Sequence, residues 1–168
     1  MEAPFLELSV MPPLPSLLAS TLLLLVPAIA PAQDAPVPKK AEFDAELARS
    51  VGADEYGMRH YVLVILKTGP KTMPKGAERD AMFKGHFANM TRLSAEGKLA
   101  LAGPFDGADG WRGLFIMAVT DIEEAKTFVA TDPVIINGEM VAEYHKYYGS
   151  AALMLVKDAH DKVTKKGF

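Results

Sequence analysis

Residues 82–93, MFKGHFANMTRL, decide the fold of this chain. They have a helical pattern, and positions at i, i+4, i+8 and i+11 form one stripe: Met82, His86, Met90 and Leu93. Phenylalanines at positions 83 and 87 widen the stripe, and such a stripe normally faces a sheet or another helix. His86 brings an ionisable imidazole to this apolar surface, so it is either a core histidine with satisfied ring nitrogens or part of a site.

Four apolar runs around this helix predict strands. Residues 61–66 (YVLVIL) and 113–119 (GLFIMAV) are apolar on both faces. Residues 99–102 (LALA) form a shorter run, and residues 140–148 (MVAEYHKYY) alternate as a half-buried strand does.

Two helices separate these strands. The first spans about residues 77–96, and Gly97 suits its C-terminal cap. Thr120 and Asp121 are both candidate N-caps for the second, which ends before Asp132 because the residue preceding a proline disfavours helical geometry.

The order βαββαβ predicts an α+β fold, a ferredoxin-like antiparallel sheet with both helices on one face. The first and third strands look apolar on both faces, so the second face needs a cover. The simplest cover is the same face of another copy, which predicts a homodimer with its sheets packed face to face.

Composition narrows the class of protein. The chain has 168 residues, of which 49% are hydrophobic and 23% charged, as in one globular domain with an addition at an end. The net charge of −3 offers no basic surplus for nucleic acid. No cysteine is present, which excludes disulfides, thiolate metal sites and cysteine nucleophiles.

The N-terminus has the pattern of an export signal. Residues 14–29 are apolar, and small residues at Ala30 and Ala32 predict cleavage after Ala32. The preceding segment lacks Lys and Arg, and Met11 is an alternative start. An uncleaved membrane anchor is the other interpretation, although the run is shorter than the roughly 20 residues that a spanning helix needs.

We therefore predict four segments: a signal peptide over residues 1–32, a linker with a short helix over 33–57, an α/β domain over 58–150, and a helical extension over 151–168. The mature protein is expected in the periplasm or outside the cell, away from membranes and nucleic acid.

The histidines show no metal-ligand spacing, so we predict no metal site. For His86 the best candidate partner is Asp132, because Asp132 ends the helix that packs beside the first helix in this fold. Structural alternatives exist for both residues. His86 could be a core histidine bonded to a backbone carbonyl, and Asp132 could be the N-cap of a turn begun by Pro133.

Over about residues 58–149 the chain resembles the YciI-like (YCII-related) proteins of the dimeric α/β barrel class. The resemblance rests on the first apolar strand, the segment GHFANMTRLSAEGKL after it, the Gly103-Pro104 step, the Asp132-Pro133 step and an aromatic-rich last strand. It implies that His86 and Asp132 form an active-site pair. It also implies that Gly103 and Pro104 form a pocket wall, which we extend to Phe105 as a substrate-binding segment.

The family resemblance further implies proton transfer on a small cyclic substrate without a cofactor, as in a dehydrochlorinase of this family and in muconolactone isomerases of the same fold. His86 would act as the general base or acid, and Asp132 would orient it. Aromatic and methionine side chains are candidate pocket residues: Met82, Phe87, Met90, Phe105 and Trp111.

Three interpretations stay open from the sequence. The first is a cofactor-independent lyase or isomerase that uses His86 and Asp132. The second is a non-catalytic exported dimer that binds a small ligand or a partner protein. The third and weakest is a haem protein with His86 or His145 as the axial ligand.

Overall fold

The computed structural model describes residues 41–166, so the predicted export signal lies outside the described residues. The helices and strands follow in this order: α1 (Ala45–Ser50), β1 (Met58–Thr68), α2 (Ala77–Ala95), β2 (Leu99–Pro104), β3 (Trp111–Met117), α3 (Ile122–Val129), α4 (Pro133–Ile136), β4 (Met140–Ser150) and α5 (Val156–Val163). Two short 3₁₀ helices, Ala108–Gly110 and Ala151–Leu155, precede β3 and α5.

The four strands form one antiparallel sheet in the order β2-β3-β1-β4. This arrangement confirms the predicted ferredoxin-like α+β fold. The outer strands β2 and β4 contain the short and the alternating apolar runs, and the doubly apolar runs lie in the central strands β1 and β3. Hydrogen bonding extends β1 and β4 to 11 residues each, beyond the apolar runs that predicted them.

The main core lies between the helices and one face of the sheet. Alternate residues of β1, Val62, Val64 and Leu66, point to this face and are almost fully buried. Leu93 of α2 and Val129 of α3 pack in the same cluster. The stripe on α2 therefore faces the sheet, as its spacing predicted.

The opposite face of the sheet is covered in part by the C-terminal segment of the same chain. Tyr61 of β1, Ala100 of β2 and Ile116 of β3 form a second buried cluster, and Leu153 and Met154 of the C-terminal 3₁₀ helix pack against it. Both helices of the βαββαβ unit lie on one face of the sheet, as predicted, and the C-terminal segment, whose position the sequence left open, packs on the other face. The apolar surface of the central strands is hidden in part by the chain's own C-terminal segment.

The short helix α4 was also missed. Pro133 occupies its first turn, where proline is well tolerated because its missing N–H would have no intrahelical partner. Asp132 caps α4, while Asp121, one of the two candidate N-caps, caps α3. Among residues 41–166, no helix is long and apolar enough to cross a membrane.

Candidate functional site

His86 lies on the buried side of α2 and is 7% exposed. Its ring packs among three phenylalanines, nearly parallel to Phe115 of β3 and edge-on to Phe83, with Phe87 at 5.4 Å between ring centroids. The buried members of α2 are Met82, His86, Asn89 and Leu93. Asn89 takes the place that the predicted stripe assigned to Met90, which is half-buried beside it.

Asp132 is fully buried and contacts hydrogen-bond donors on two sides. Its Oδ1 accepts from the backbone N–H of Val134 at 3.1 Å, which is the N-cap bond of α4. His86 Nδ1 lies 2.9 and 2.8 Å from Oδ1 and Oδ2. Asp132 therefore caps α4 and also contacts His86. The partner of His86 is a carboxylate rather than a backbone carbonyl.

Asn89 completes the surroundings of Asp132. Its Nδ2 donates to Asp132 Oδ2 at 3.3 Å, while its Oδ1 accepts from Arg92 at 2.8 Å and from Thr131 at 3.1 Å. Arg92 can only donate, so the Asn89 atom that faces it is the amide oxygen, and the amide nitrogen faces Asp132. The sequence signal for Asn89 was its position three residues after His86, on the same face of the helix.

The close approach of α2 and α4 depends on Gly85. A Cβ atom added at position 85 would lie 3.0 Å from Cγ of Pro133, the residue that follows Asp132. A glycine in a helix costs about 1 kcal/mol relative to alanine. Here it lets the backbone carrying His86 approach the turn carrying Asp132.

The hydrogen bond to Asp132 determines what the other ring nitrogen of His86 can do. A carboxylate only accepts hydrogen bonds, so Nδ1 carries a proton and donates it. Nε2 of the neutral ring is then left with a lone pair. Within residues 41–166, Nε2 has no hydrogen-bond partner. No fully buried side-chain nitrogen or oxygen of these residues lacks a partner, so Nε2 is not fully buried.

His86 lines a cavity of about 340 Å³ between α2 and the helix-side face of the sheet. Its volume lies in the range of small-molecule pockets, roughly 300–1,000 Å³. The lining residues are mostly apolar: Leu66, Phe83, His86, Phe87, Met90, Gly103, Pro104, Phe105, Arg112, Gly113, Phe115 and Met140.

The structure brings most of the predicted site residues together. Gly103, Pro104 and Phe105 lie in one wall of the cavity, and His86 lies in another. Asp132 contacts His86 but does not line the cavity. Among the candidate pocket residues, Phe87, Met90 and Phe105 line it.

Two candidate pocket residues lie elsewhere. Met82 belongs to the buried core, and Trp111, 39% exposed, packs against Phe105 outside the lining. Arg112 was not predicted, although a cation directly before the apolar run of β3 was a visible signal in the sequence.

A buried carboxylate lies near the cavity at the start of β4. Glu139 Oε1 accepts from Arg79 at 2.7 Å, and Oε2 accepts from the backbone N–H of Met73 at 2.7 Å. Burial is the largest influence and raises the pKa of Glu139, but the hydrogen bonds from Met73 and Arg79 and the positive charges of Arg79 and Arg112 together outweigh it and hold the pKa below its ordinary value of 4.5.

A larger cavity of about 450 Å³ lies between α2, β2 and α5. It shares Phe87 and Met90 with the first cavity but contacts neither His86 nor Asp132. Across residues 41–166, no group of three or more histidine or acidic side chains is placed to hold a metal ion.

Comparison with known proteins supplies the family. The family model described as the YCII-related domain matches residues 60–145, just over half of the chain. No curated protein matches the sequence. One similar solved structure is 5-chloro-2-hydroxyhydroquinone dehydrochlorinase from Burkholderia phenoliruptrix AC1100, in complex with 2,5-dihydroxybenzoquinone. It is 21% identical, with 51% of this chain and 92% of that chain covered and a TM-score of 0.38. The chain belongs to the YCII-related family, as its sequence resemblance predicted.

Proposed function

We propose that this protein is a cofactor-independent lyase or isomerase in which His86 transfers a proton on a small cyclic substrate. One observation supports the proposal above the others. A buried histidine is hydrogen-bonded to a carboxylate through Nδ1, and its Nε2 is left unbonded at the wall of an apolar cavity. A general base needs this arrangement, because its lone pair must reach the substrate while its ring is held in one tautomer.

In the proposed reaction the substrate ring lies between Phe115 and the wall formed by Gly103, Pro104 and Phe105. His86 Nε2 takes a proton from a ring carbon next to a carbonyl, and the electron pair of the broken C–H bond moves into the ring as an enolate. In an isomerisation the proton returns at another ring atom. In an elimination the pair instead expels a leaving group.

Asp132 is a positioning residue in this scheme. When Nε2 gains the proton, the ring becomes an imidazolium whose positive charge lies 2.8 Å from the carboxylate. Because both groups are buried, this attraction is stronger than between exposed groups. Asp132 is itself held by the N–H of Val134 and by Asn89, so it needs no rearrangement during the reaction.

The test measures proton transfer without knowing the substrate. The purified protein is incubated in D₂O with a panel of hydroxyquinols, hydroxyquinones and unsaturated lactones, and proton NMR follows the loss of ring C–H signals above the uncatalysed rate. We expect exchange with at least one compound. His86→Gln should slow it by about 10²- to 10⁴-fold, the usual contribution of general acid–base catalysis.

His145→Gln is the matched control, because His145 is exposed on the opposite face of the sheet. It should leave the exchange rate unchanged. Equal rates in wild type and His86→Gln would show that His86 is not the base. Compounds that bind in the cavity and never exchange would instead support the alternative, a non-catalytic ligand-binding module, which the apolar cavity walls also suit.

We also propose that the protein forms a homodimer through the open face of the sheet. Val141 and Tyr147 of β4 are 45% and 37% exposed there, beyond the part covered by Leu153 and Met154. Burying such side chains is favourable at about 25 cal/mol per Å² of apolar surface. Light scattering on the eluting protein should give twice the mass of one chain, and the mass of a single chain would refute the dimer.

Export is proposed from the N-terminal sequence alone. Expression in a bacterial host with a periplasm, followed by mass spectrometry, should recover a chain that begins at Gln33 in the periplasmic fraction. A full-length chain held in the membrane fraction would favour the uncleaved anchor.

A further inference from the structure

Of the described residues that line the His86 cavity, Arg112 is the one Lys, Arg, Asp or Glu. It lies at the start of β3, and its side chain is 26% exposed. The other lining side chains are aliphatic, aromatic or glycine, apart from His86 itself. A partly buried cation in such surroundings is costly unless it finds a partner.

Among residues 41–166, Arg112 has one ion-pair partner, Glu139, and the pair is long. Its nearest acidic atom is Glu139 Oε1, 3.9 Å from Nη1, and its side chain makes no hydrogen bond with any residue from 41 to 166. Arg79 instead holds Glu139 at 2.7 Å, and Met73 N–H takes the other carboxylate oxygen. Glu139 is thus satisfied by other groups, and the guanidinium N–H donors of Arg112 are left without an acceptor in the described chain.

We infer that Arg112 is the specificity-determining residue of the cavity and that the natural ligand is a small cyclic carboxylate. This inference rests on the proposed function, because it places the ring of the ligand beside Nε2 of His86. The planar guanidinium can donate two parallel N–H bonds to a carboxylate, a match that a lysine ammonium or a neutral side chain cannot provide. The apolar walls then hold the ring, and the charged group determines which end points to Arg112.

The experiment compares 4-hydroxybenzoate with its uncharged counterpart 4-hydroxybenzamide. Affinity is measured by titration calorimetry, and the NMR signals of the His86 ring report whether the cavity is occupied. Wild type should bind the carboxylate about 10- to 100-fold more tightly, as expected for hydrogen bonds to a charged group. Added salt should reduce this preference.

Arg112→Met should bring the two affinities within about twofold, because the apolar walls then bind both rings equally. Arg112→Lys keeps the positive charge but cannot donate two parallel N–H bonds, so it should retain only part of the preference for the carboxylate. This variant tests the inference even where Arg112→Met is unstable. Arg49→Met is the matched control, since Arg49 is exposed on α1 and does not line the cavity. It should keep the full preference.

The possible failures are distinguishable. If both compounds perturb the His86 ring and bind equally, or if Arg112→Met keeps the preference, the inference is wrong and the proposed function stands. If neither compound binds, the inference is wrong. If, in addition, no compound of the exchange panel reacts, the proposed function fails independently.

Discussion

Residues 41–166 contain two histidine–carboxylate pairs with the same separation and different surroundings. His86 lies 2.8 Å from Asp132, and His145 lies 2.8 Å from Glu143. The side chains of the first pair are 9% and 1% exposed, whereas those of the second are 47% and 43% exposed. The first pair lies on the helix-covered face of the sheet and the second on the open face.

A histidine–carboxylate distance of 2.8 Å does not by itself make a functional site, because both pairs have it and only one is buried beside a cavity. Glu143 also contacts Lys67 at 2.5 Å, and these partners, Lys67 first and His145 next, lower its pKa. Solvent screens the exposed pair, so its members interact weakly. His145 also uses Nε2 for its bond, while His86 uses Nδ1 and keeps Nε2 for the cavity.

The largest expected difference between the two pairs is in stability. Asp132→Ala removes the partner of the neutral His86 ring and the N-cap of α4, so the unfolding free energy should fall by about 1–3 kcal/mol for each buried N–H donor left unpaired. Glu143→Ala on the exposed pair should leave the unfolding midpoint unchanged. Urea denaturation of both variants measures the contrast, and equal shifts would contradict the distinction.

Glu139 is as buried as Asp132 but pairs with an arginine instead of a histidine. Glu139→Gln should lower the unfolding free energy by about 1.5–3 kcal/mol at neutral pH, since a charge-assisted bond to Arg79 is lost. The folded-state pKa of Glu139 lies below its ordinary value, so its ionised form stabilises the fold above 4.5 and loses this effect on acidification.

The gap between wild type and Glu139→Gln should therefore narrow as the pH falls through and below 4.5. Urea denaturation at about pH 7 and about pH 4 checks the sign. A gap that widens on acidification would show that Glu139 is not held ionised by Arg79 and Met73.

A smaller effect on stability than at Asp132 or Glu139 is expected at Gly85. In Gly85→Ala the new Cβ presses on Pro133, while alanine favours the helix by about 1 kcal/mol, so the unfolding free energy should change by less than that amount. The rate at which Gly85→Ala exchanges the ring C–H protons of a substrate should nevertheless fall by roughly three- to tenfold, because moving Pro133 also moves Asp132.

Ala88→Gly is the control for Gly85→Ala, because Ala88 is exposed on the same helix. It should cost about 1 kcal/mol of stability and leave exchange unaffected. If Gly85→Ala leaves the exchange rate unchanged, the close approach of α2 to α4 does not control the geometry of the histidine pair.

Much of this architecture follows from the sequence alone. The periods of the apolar runs determined the order βαββαβ, since a strand or a helix must bury one face whatever surrounds it. The stripe on α2 placed His86 at the sheet, and the position of Asp132 at the end of the second helix made it the best partner. These inferences use local spacing and the topology that follows from it.

Only the tertiary structure determined the rest. Asp132 pairs with His86 and caps α4 because residues 46 positions apart in the chain meet. Arg112 keeps only a long ion pair to Glu139 because Arg79 makes the close contact with that carboxylate. The C-terminal segment covers part of the face for which a second copy was the simplest expected cover. Local patterns state which side chains must be buried, but the choice among distant partners depends on which groups compete for each hydrogen bond in three dimensions.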